Sequence, residues 1–185
     1  MQWLNEPPEW ADADGTLTVA TGDRTDFWRR THYGFVRDDG HFRHVAADGD
    51  FSATVDFRGD YEALYDQAGL MLRLDAETWV KAGIEYVAGR RMLSAVVTRE
   101  VSDWSTMPLM SDAAWVRLRL TRIGTAVHVH WATEPDPGTF RMLRLAWFPE
   151  GELMVGPMCC SPQRAGFRAA FRGFALGRPA SPVEQ

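Results

Sequence analysis

Four alternate residues of the stretch WVKAGIEY, at 79–86, could do chemistry together. Successive side chains of a β-strand point to opposite faces, so we expect Trp79, Lys81, Gly83 and Glu85 on one face. The residues between them are largely apolar and suit a buried core. An indole, an amine and a carboxylate then stand in a row whose positions follow one another at about 6–7 Å per step of two residues, at a rise of about 3.3 Å per residue. This row predicts the floor of a binding groove.

Lys81 is unusual in the composition, because it is the only lysine beside 19 arginines. A compact, flexible ammonium and a flat guanidinium fork are not interchangeable. Retention by chance is the alternative explanation, since one position has to hold the last lysine of an arginine-rich chain. The position of Lys81 between Trp79 and Glu85, rather than in a turn, favours a functional role.

Polar and aromatic residues around this strand match the needs of a saccharide site. A saccharide has hydroxyl groups and an apolar ring face, so its site combines an aromatic plate with fixed hydrogen-bond donors and acceptors. We expect Trp28, Trp79 and Trp104 to supply the plates. The alternative is that Trp28 and Trp104 anchor loops over the rim while the polar groups cap backbone. The predicted ligand-binding residues are Asp26, Trp28, His32, Tyr33, Asp66, Gln67, Trp79, Lys81, Glu85, Asp103 and Trp104.

Glycoside hydrolysis is an alternative interpretation of the same groove. It needs two carboxyl groups about 5–9.5 Å apart. Glu85 shares its strand face with no second acid, so Asp66 or Asp103 would have to act with it. The nearby ammonium of Lys81 is expected to keep Glu85 ionised, which suits a base or a nucleophile better than an acid.

Metal and thiol chemistry have weaker support in the sequence. His128 and His130 lie on one strand face, but no third ligand follows at a recognisable spacing, so no metal site and no cofactor are expected. Cys159 and Cys160 are adjacent, and a disulfide between neighbours in an extended chain would be strained. Because the chain has no other cysteine, we expect buried free thiols.

Length and charge restrict the remaining classes of protein. A chain of 185 residues fits one domain, expected over residues 1–178, with a C-terminal tail at 179–185. The net charge of −5 and the scattered arginines argue against a nucleic-acid partner. No stretch is long and apolar enough to cross a membrane, and the N-terminus lacks the pattern of a signal peptide. We therefore expect a cytoplasmic location.

Short alternating segments separated by turns run through the whole sequence. The segment from Phe51 to Phe57 alternates strictly, with its aromatic and aliphatic residues on one face. No apolar residues recur at helical spacing over the length of a helix. Roughly ten to twelve such segments, between Gly, Pro and Asp turns, predict an all-β fold of two packed antiparallel sheets.

Six motifs carry a resemblance to a known family. They are WxNEP at 3–7, DFWRxTHYGF at 26–35, YDQAGLM at 65–71, WVKAGIEY at 79–86, SDWS at 102–105 and VGPMxCSP at 155–162. With these motifs the chain resembles the DUF1349 family, from Trp3 to about Phe174. The resemblance implies a jelly-roll β-sandwich of the concanavalin A-like lectin/glucanase type, in which saccharides are bound or cleaved on the concave sheet. Glucanases of this type carry alternating acids on one strand, and that pattern is absent around Glu85.

These observations together predict a protein that binds a saccharide or a small polyol. The residues at 79–85 and 66–67 would form the floor of its groove, and those at 26–33 and 103–104 its walls. A sugar-processing enzyme that uses the same groove is one alternative. A regulatory protein–protein module is another, and it would need a broad exposed apolar patch around the groove. Whether the chain forms a homodimer or binds a protein partner stays open.

Overall fold

Alternating apolar residues form sixteen β-strands in the computed structural model, which describes residues 1–134 and 136–181. These residues contain no helix, and their strands form two antiparallel sheets of seven strands each and a separate two-stranded sheet. The predicted all-β sandwich is therefore confirmed. The strands outnumber the roughly ten to twelve expected, because strands of only three residues have no long alternating pattern.

The first sheet contains the strand that carries Lys81. In spatial order its strands are β1 (Gln2–Leu4), β6 (His41–Ala47), β15 (Leu153–Cys160), β8 (Gln67–Arg73), β9 (Thr78–Val87), β10 (Arg90–Arg99) and β11 (Val101–Pro108). In the pairing of β8 with β9, Gln67 lies opposite Glu85 and Met71 lies opposite Lys81. Two polar side chains of neighbouring strands therefore share the outer face of this sheet.

The second sheet packs on the inner face of the first. In spatial order its strands are β14 (Asp136–Trp147), β13 (Ala126–Thr133), β12 (Val116–Ile123), β7 (Phe51–Gly59), β16 (Arg168–Gly177), β3 (Thr16–Ala20) and β2 (Glu9–Ala13). The remaining strands, β4 (Phe27–Arg29) and β5 (Val36–Asp38), form a hairpin of their own.

The two sheets enclose one hydrophobic core. Val80, Ala82 and Ile84 of β9 face it, as do Phe57 of β7 and Leu118 of β12. The three β9 residues are at most 2% exposed. The side-chain alternation predicted for the stretch at 79–86 is therefore present in the structure.

A second apolar cluster lies on the outer face of the first sheet, under the β4–β5 hairpin. Phe27 and Trp28 of the hairpin pack there against Met71 and Trp79 of the sheet, and Phe27 is completely buried. Arg29 fastens the hairpin further, because its guanidinium bonds the Glu100 carbonyl and the Glu77 carboxylate. The hairpin therefore covers part of the sheet face on which Lys81 and Glu85 stand.

Paired glycines open a space between Lys81 and Glu85 on that face. Gly69 and Gly83 are direct partners across β8 and β9. A Cβ atom on Gly83 would lie 2.0 Å from the Ala68 carbonyl oxygen, so no other residue fits there without a shift of the backbone. A small void of about 10 Å³ remains above Gly83.

The end of the described chain packs against the second sheet. The Ala180 amide donates a hydrogen bond of 2.9 Å to the Ser52 hydroxyl, within the segment predicted to be a tail. The last part of that predicted tail, 182–185, lies outside the described residues. Within 1–134 and 136–181 there is no helix of the length and apolarity that crossing a membrane requires.

Candidate functional site

Lys81 lies at the bottom of a pocket on the outer face of the first sheet and is 3% exposed. Its ammonium donates hydrogen bonds to Asp26 Oδ1 at 3.1 Å and to the Phe27 carbonyl at 2.7 Å. Burial is the largest single effect and lowers the pKa of Lys81, but Asp26, Cys160 and Glu85 together raise this pKa more, so the net shift is upward. Lys81 is therefore a protonated donor held by the segment that leads into β4.

Glu85 lies four residues further along β9, on the same strand face, and is also buried. Its Oε2 accepts hydrogen bonds from the Ser94 hydroxyl at 2.8 Å and from Trp104 Nε1 at 2.9 Å. Burial raises the pKa of Glu85 above its ordinary value, and the opposing effect of Lys81 is smaller. Loss of solvent therefore outweighs the nearby positive charge of Lys81 in setting the direction of this shift.

Aromatic side chains form most of the pocket wall. The pocket, called the central pocket below, has a volume of about 220 Å³. Its aromatic residues are Trp28, Tyr33, Phe35, Tyr65 and Trp104. Its polar floor and the rest of its rim consist of Arg24, Asp26, Arg37, Lys81, Glu85, Pro162 and Gln163. The arrangement places ionisable groups at the bottom and aromatic rings above them.

Four of these rings contact one another in a closed circuit. The ring centres of Tyr33 and Trp28 are 5.7 Å apart, those of Trp28 and Trp104 are 6.4 Å apart, and those of Trp104 and Tyr65 are 6.1 Å apart. All three pairs are edge-to-face. A hydrogen bond of 2.8 Å between the Tyr65 and Tyr33 hydroxyls completes the circuit. These contacts fix the rings relative to one another, which preorganises the wall.

The turn between β4 and β5 presents Tyr33 and Phe35 to the pocket mouth. Arg30 and His32 both have a positive φ, of 60° and 63°, which is uncommon outside glycine. The Arg30 amide donates to the Phe35 carbonyl at 2.7 Å, and the Gly34 amide donates to the Arg30 carbonyl at 2.6 Å. These bonds hold the turn in a strained backbone conformation of the kind that is common at functional sites.

His32 and Asp103 line a separate depression on the other side of the aromatic wall. Trp28, Tyr33 and Trp104 border both this depression, of about 390 Å³, and the central pocket. Asp103 forms an ion pair of 3.2 Å with Arg144 of β14. Strand alternation places Asp103 on the face opposite to Trp104, so its carboxylate points away from Glu85.

Trp79 does not offer a face to a ligand, which contradicts its predicted role as a plate. Its exposure is 0%, because Phe27 covers it at a ring distance of 6.2 Å. Its Nε1 has no hydrogen-bond partner among the described residues. Trp79 lies on the strand face that the alternation predicts, but the β4–β5 hairpin covers this end of the face and shields it from solvent.

Asp66 also lies outside the pocket, contrary to its predicted place in the floor. Its side chain is completely buried and forms an ion pair of 2.7 Å with Arg164. The same carboxylate accepts hydrogen bonds from the amides of Glu62 and Ala63, so it organises the loop before β8. Neither Asp66 nor Asp103 therefore meets Glu85, and Asp26 is the carboxylate that shares the central pocket with it.

Gln67 lies next to Glu85 in the sheet but not in the open part of the pocket. It borders the small void above Gly83, and its side-chain amide donates to the Tyr65 carbonyl at 3.2 Å. Tyr65 and Phe35 line the central pocket but were not among the predicted ligand-binding residues, although both stand within the quoted motifs. Pro162 also ends a quoted motif, whereas Arg24, Arg37 and Gln163 have no comparable signal in the sequence.

Metal ligation has no support in the described part of the chain. Residues 1–134 and 136–181 contain no group of three or more His, Cys, Asp or Glu side chains placed to hold a metal ion. His128 and His130 stack with ring centres 6.2 Å apart on the outer face of the second sheet. Cys159 and Cys160 are free and buried, and burial raises the pKa of both thiols.

Fold and pocket together define an all-β sandwich with a polar and aromatic pocket on one outer face. The family model described as a protein of unknown function, DUF1349, matches residues 3–179. The chain belongs to this family. It is 42% identical over 180 residues to a Saccharomyces cerevisiae relative called Regulation of enolase protein 1, which covers 96% of this chain and 89% of the relative.

Solved structures extend the likeness of the fold. A functionally unknown protein from Saccharomyces cerevisiae superposes with a TM-score of 0.92 at 41% identity over 97% of both chains. The carbohydrate-binding module CBM66 from Bacillus subtilis is similar with a TM-score of 0.58 at 14% identity, over 95% of this chain and 94% of that chain. The GH43 protein BlXynB from Bacillus licheniformis gives 0.68 at 15% identity, over 93% of this chain but 35% of that chain. The last two likenesses concern the fold alone.

Proposed function

We propose that the protein binds a saccharide or a small polyol in the central pocket. One observation carries the proposal: a donor and an acceptor on the same strand face both line the pocket floor. Lys81 uses two of its three ammonium protons in bonds to Asp26 and Phe27. Glu85 Oε1 receives no hydrogen bond from the described residues, whereas Oε2 receives two. Neighbouring hydroxyls of a sugar can accept from the ammonium and donate to the carboxyl group.

Size and walls of the pocket support a small ring as the ligand. A volume of about 220 Å³ is below the roughly 300–1,000 Å³ of pockets for drug-sized molecules. Trp28, Tyr65 and Trp104 supply apolar ring surface beside the polar floor. The similarity of the sandwich to a carbohydrate-binding module supports the proposal at the level of the fold.

The test is a binding screen against neutral sugars, polyols and sugar phosphates by titration calorimetry. Tyr65→Ala removes a half-buried ring from the pocket wall. The double variant Asp26→Asn with Lys81→Met removes both charges of the ion pair at the pocket floor. Each variant is expected to lower the affinity for any binding sugar by about tenfold or more, the equivalent of about 1.4 kcal/mol. Asp103→Asn is the control and keeps wild-type affinity, because its carboxylate faces away from Glu85. Unchanged affinity in both site variants contradicts the proposal.

A regulatory protein–protein module is the second candidate, and an exposed apolar rim favours it. Tyr33, Phe35, Val36 and Leu64 are each 42–45% exposed and stand on the turns beside the central pocket. The name of the yeast relative refers to regulation of enolase. On this alternative, Phe35→Ser and Val36→Ser together weaken calorimetric binding to the enolase of the same organism. Binding of a free sugar in the central pocket with no binding of enolase contradicts the module.

A sugar-processing enzyme is the third candidate, in a form that the geometry modifies. Glu85 shares the pocket with Asp26, so two carboxyl groups are present, and the raised pKa of Glu85 favours the role of general acid for it. Asp26 thereby replaces Asp66 and Asp103 as the partner of Glu85. The enzyme predicts release of nitrophenol from nitrophenyl glycosides, with turnover abolished in Glu85→Gln while sugar binding survives. Binding without turnover in the wild type excludes those substrates.

A further inference from the structure

The outer face of the second sheet carries a concentration of positive charge that the central pocket does not use. Five arginines stand on the outward-facing positions of strands β7, β12 and β16, namely Arg58, Arg117, Arg119, Arg168 and Arg172. On the strands from β13 across to β2, the acidic residues of this face are Glu9 and Asp56. The face is thus positive although the whole chain has a net charge of −5.

Three of the five arginines have no carboxylate partner in the described part of the chain. Arg117 and Arg172 share Asp56, with N–O distances of 2.5 and 3.5 Å, and Arg172 also reaches Glu134 at 3.4 Å. Within 1–134 and 136–181, no carboxylate oxygen lies within 4.0 Å of Arg58, Arg119 or Arg168. These three guanidinium groups remain available to a negatively charged partner.

Aromatic rings hold several of these guanidinium groups flat. Arg58 and Arg172 both stack on Trp115, at 4.9 and 4.0 Å from the ring centre. Arg119 stacks on Phe140 at 4.0 Å. A stacked guanidinium keeps its N–H edge free, and its fixed orientation reduces the entropy lost when it binds a carboxylate. The face therefore has preorganised forks rather than freely moving charges.

The surroundings of Arg119 also favour the binding of an anion. Its Nε is buried without a hydrogen-bond partner among the described residues, and neither ring nitrogen of the neighbouring His130 has one. Two shallow depressions, of about 370 and 460 Å³, lie along the face near Arg168 and Arg119. Arg119 lines the second depression, where an incoming carboxylate would meet its guanidinium group.

We propose that the outer face of the second sheet is a docking surface for an acidic segment of a partner protein. Charge complementarity selects the partner, because unpaired arginine forks match the carboxylates of Asp and Glu. A nucleic acid fits less well, since the rest of this acidic chain repels a long polyanion. The surface is independent of the central pocket, which lies on the opposite side of the sandwich.

A fluorescent peptide of ten glutamates is the probe, and its affinity is measured by anisotropy at low and moderate salt. The site variant combines Arg58→Gln, Arg119→Gln and Arg168→Gln. The control variant combines Arg30→Gln, Arg90→Gln and Arg99→Gln, which makes the same change in net charge with exposed arginines elsewhere. Arg99 is also matched for stacking, because it lies over Trp147 at 5.5 Å. We expect the site variant to lose about tenfold or more in affinity and the control about twofold or less.

Arginine-to-lysine changes at the same three sites separate fork geometry from charge. Their expected affinity lies between those of the wild type and the glutamine variant, because the charge stays and the bidentate geometry is lost. Equal loss in the glutamine site and control variants overturns the proposal, since net charge alone would then explain binding. Tighter binding of a DNA duplex with the same number of charges, or self-association in sedimentation that the site variant abolishes, also overturns it.

Discussion

The two outer faces of the sandwich carry charged residues above the same core, yet only one of them is covered. On the first sheet the β4–β5 hairpin covers part of the face, so Lys81 and Glu85 are buried beside a pocket. On the second sheet no layer of the residues that the structure describes covers Arg58 and Arg168 in this way, and both stay exposed. A covering segment therefore decides whether a charged residue at an outward-facing strand position is buried or exposed. A buried charge needs a fixed partner, whereas an exposed one keeps its water.

Two ion pairs illustrate the difference between the faces. Lys81 and Asp26 have side chains that are 4% and 13% exposed, and they meet at 3.1 Å. On the open face Arg117, whose side chain is 37% exposed, meets Asp56, whose side chain is 13% exposed, at 2.5 Å, and Asp56 also pairs with Arg172 at 3.5 Å. Loss of one partner from a buried pair leaves an uncompensated charge in a low-dielectric site, whereas an exposed pair contributes little.

The largest predicted effect is therefore the loss of Lys81. We expect Lys81→Met to lower the free energy of unfolding by about 3–5 kcal/mol, because Asp26 stays buried without its counter-charge. Arg117→Met on the open face should cost about 1 kcal/mol or less. Urea unfolding followed by fluorescence measures both. The double variant Lys81→Met with Asp26→Asn should recover a large part of the loss, and equal losses in the two single variants would remove the contrast between the faces.

A smaller effect distinguishes the packed part of the covered face from its pocket. Trp79 is fully buried under Phe27, so Trp79→Phe leaves a cavity and should lower the free energy of unfolding by about 2–3 kcal/mol. The affinity for a sugar should stay at the wild-type value, because the indole does not line the central pocket. Urea unfolding and calorimetry on one preparation give both numbers. A loss of affinity without a loss of stability would return Trp79 to the binding site.

The alternation of the strands could be read from the sequence, and it orders the site along β9. Lys81 and Glu85 share a face because of a period of two residues, which is a local property of a strand. The strict pattern of β7 likewise predicts which of its residues enter the core. Such patterns are enough to assign an all-β sandwich.

The cover over that face could not be read from the sequence, because it depends on contacts between distant segments. Phe27 reaches Trp79 across 52 positions of the chain, and Lys81 reaches Asp26 across 55. Asp66 looked like a neighbour of Glu85 because it precedes Gln67, but alternation turns it to the other face, where Arg164 binds it. Tyr65 was missed because its ring enters the pocket from a loop residue with a φ of 67°, outside the strand pattern.

His130, a buried residue on the outer face of the second sheet, tests the same comparison between the two faces. Burial, with Arg119 and His128, lowers the pKa of His130 from 6.5 to about 4. His130 therefore takes up a proton near pH 6.5 in the unfolded chain but only near pH 4 in the folded chain. The free energy of unfolding thus falls as the pH drops through this window. His130→Phe removes this pH-dependent contribution to the free energy of unfolding.

Between pH 7 and pH 5 we expect the wild type to lose about 2 kcal/mol more than His130→Phe. Urea unfolding at several pH values measures the difference between the two proteins. His41 and His44, whose pKa values are also lowered by burial, are present in both and cancel in the comparison. Parallel stability curves for the two proteins would mean that His130 is solvated in the same way in the folded and unfolded chains.

The smallest effect on stability belongs to the hydroxyl pair at the rim of the covered face. The hydrogen bond between the Tyr65 and Tyr33 hydroxyls, more than partial burial, raises the pKa of Tyr65 from 10.0 to about 12. Tyr33→Phe removes this bond and should bring the pKa of Tyr65 back toward 10.0, at a cost in stability below about 1 kcal/mol. The Tyr65 Cζ chemical shift, followed against pH, measures the change, and Tyr86→Phe is the control that should leave it in place. If the pKa of Tyr65 stays near 12 in Tyr33→Phe, the two hydroxyls are not hydrogen-bonded to each other, and the circuit of ring contacts is not closed at the pocket mouth.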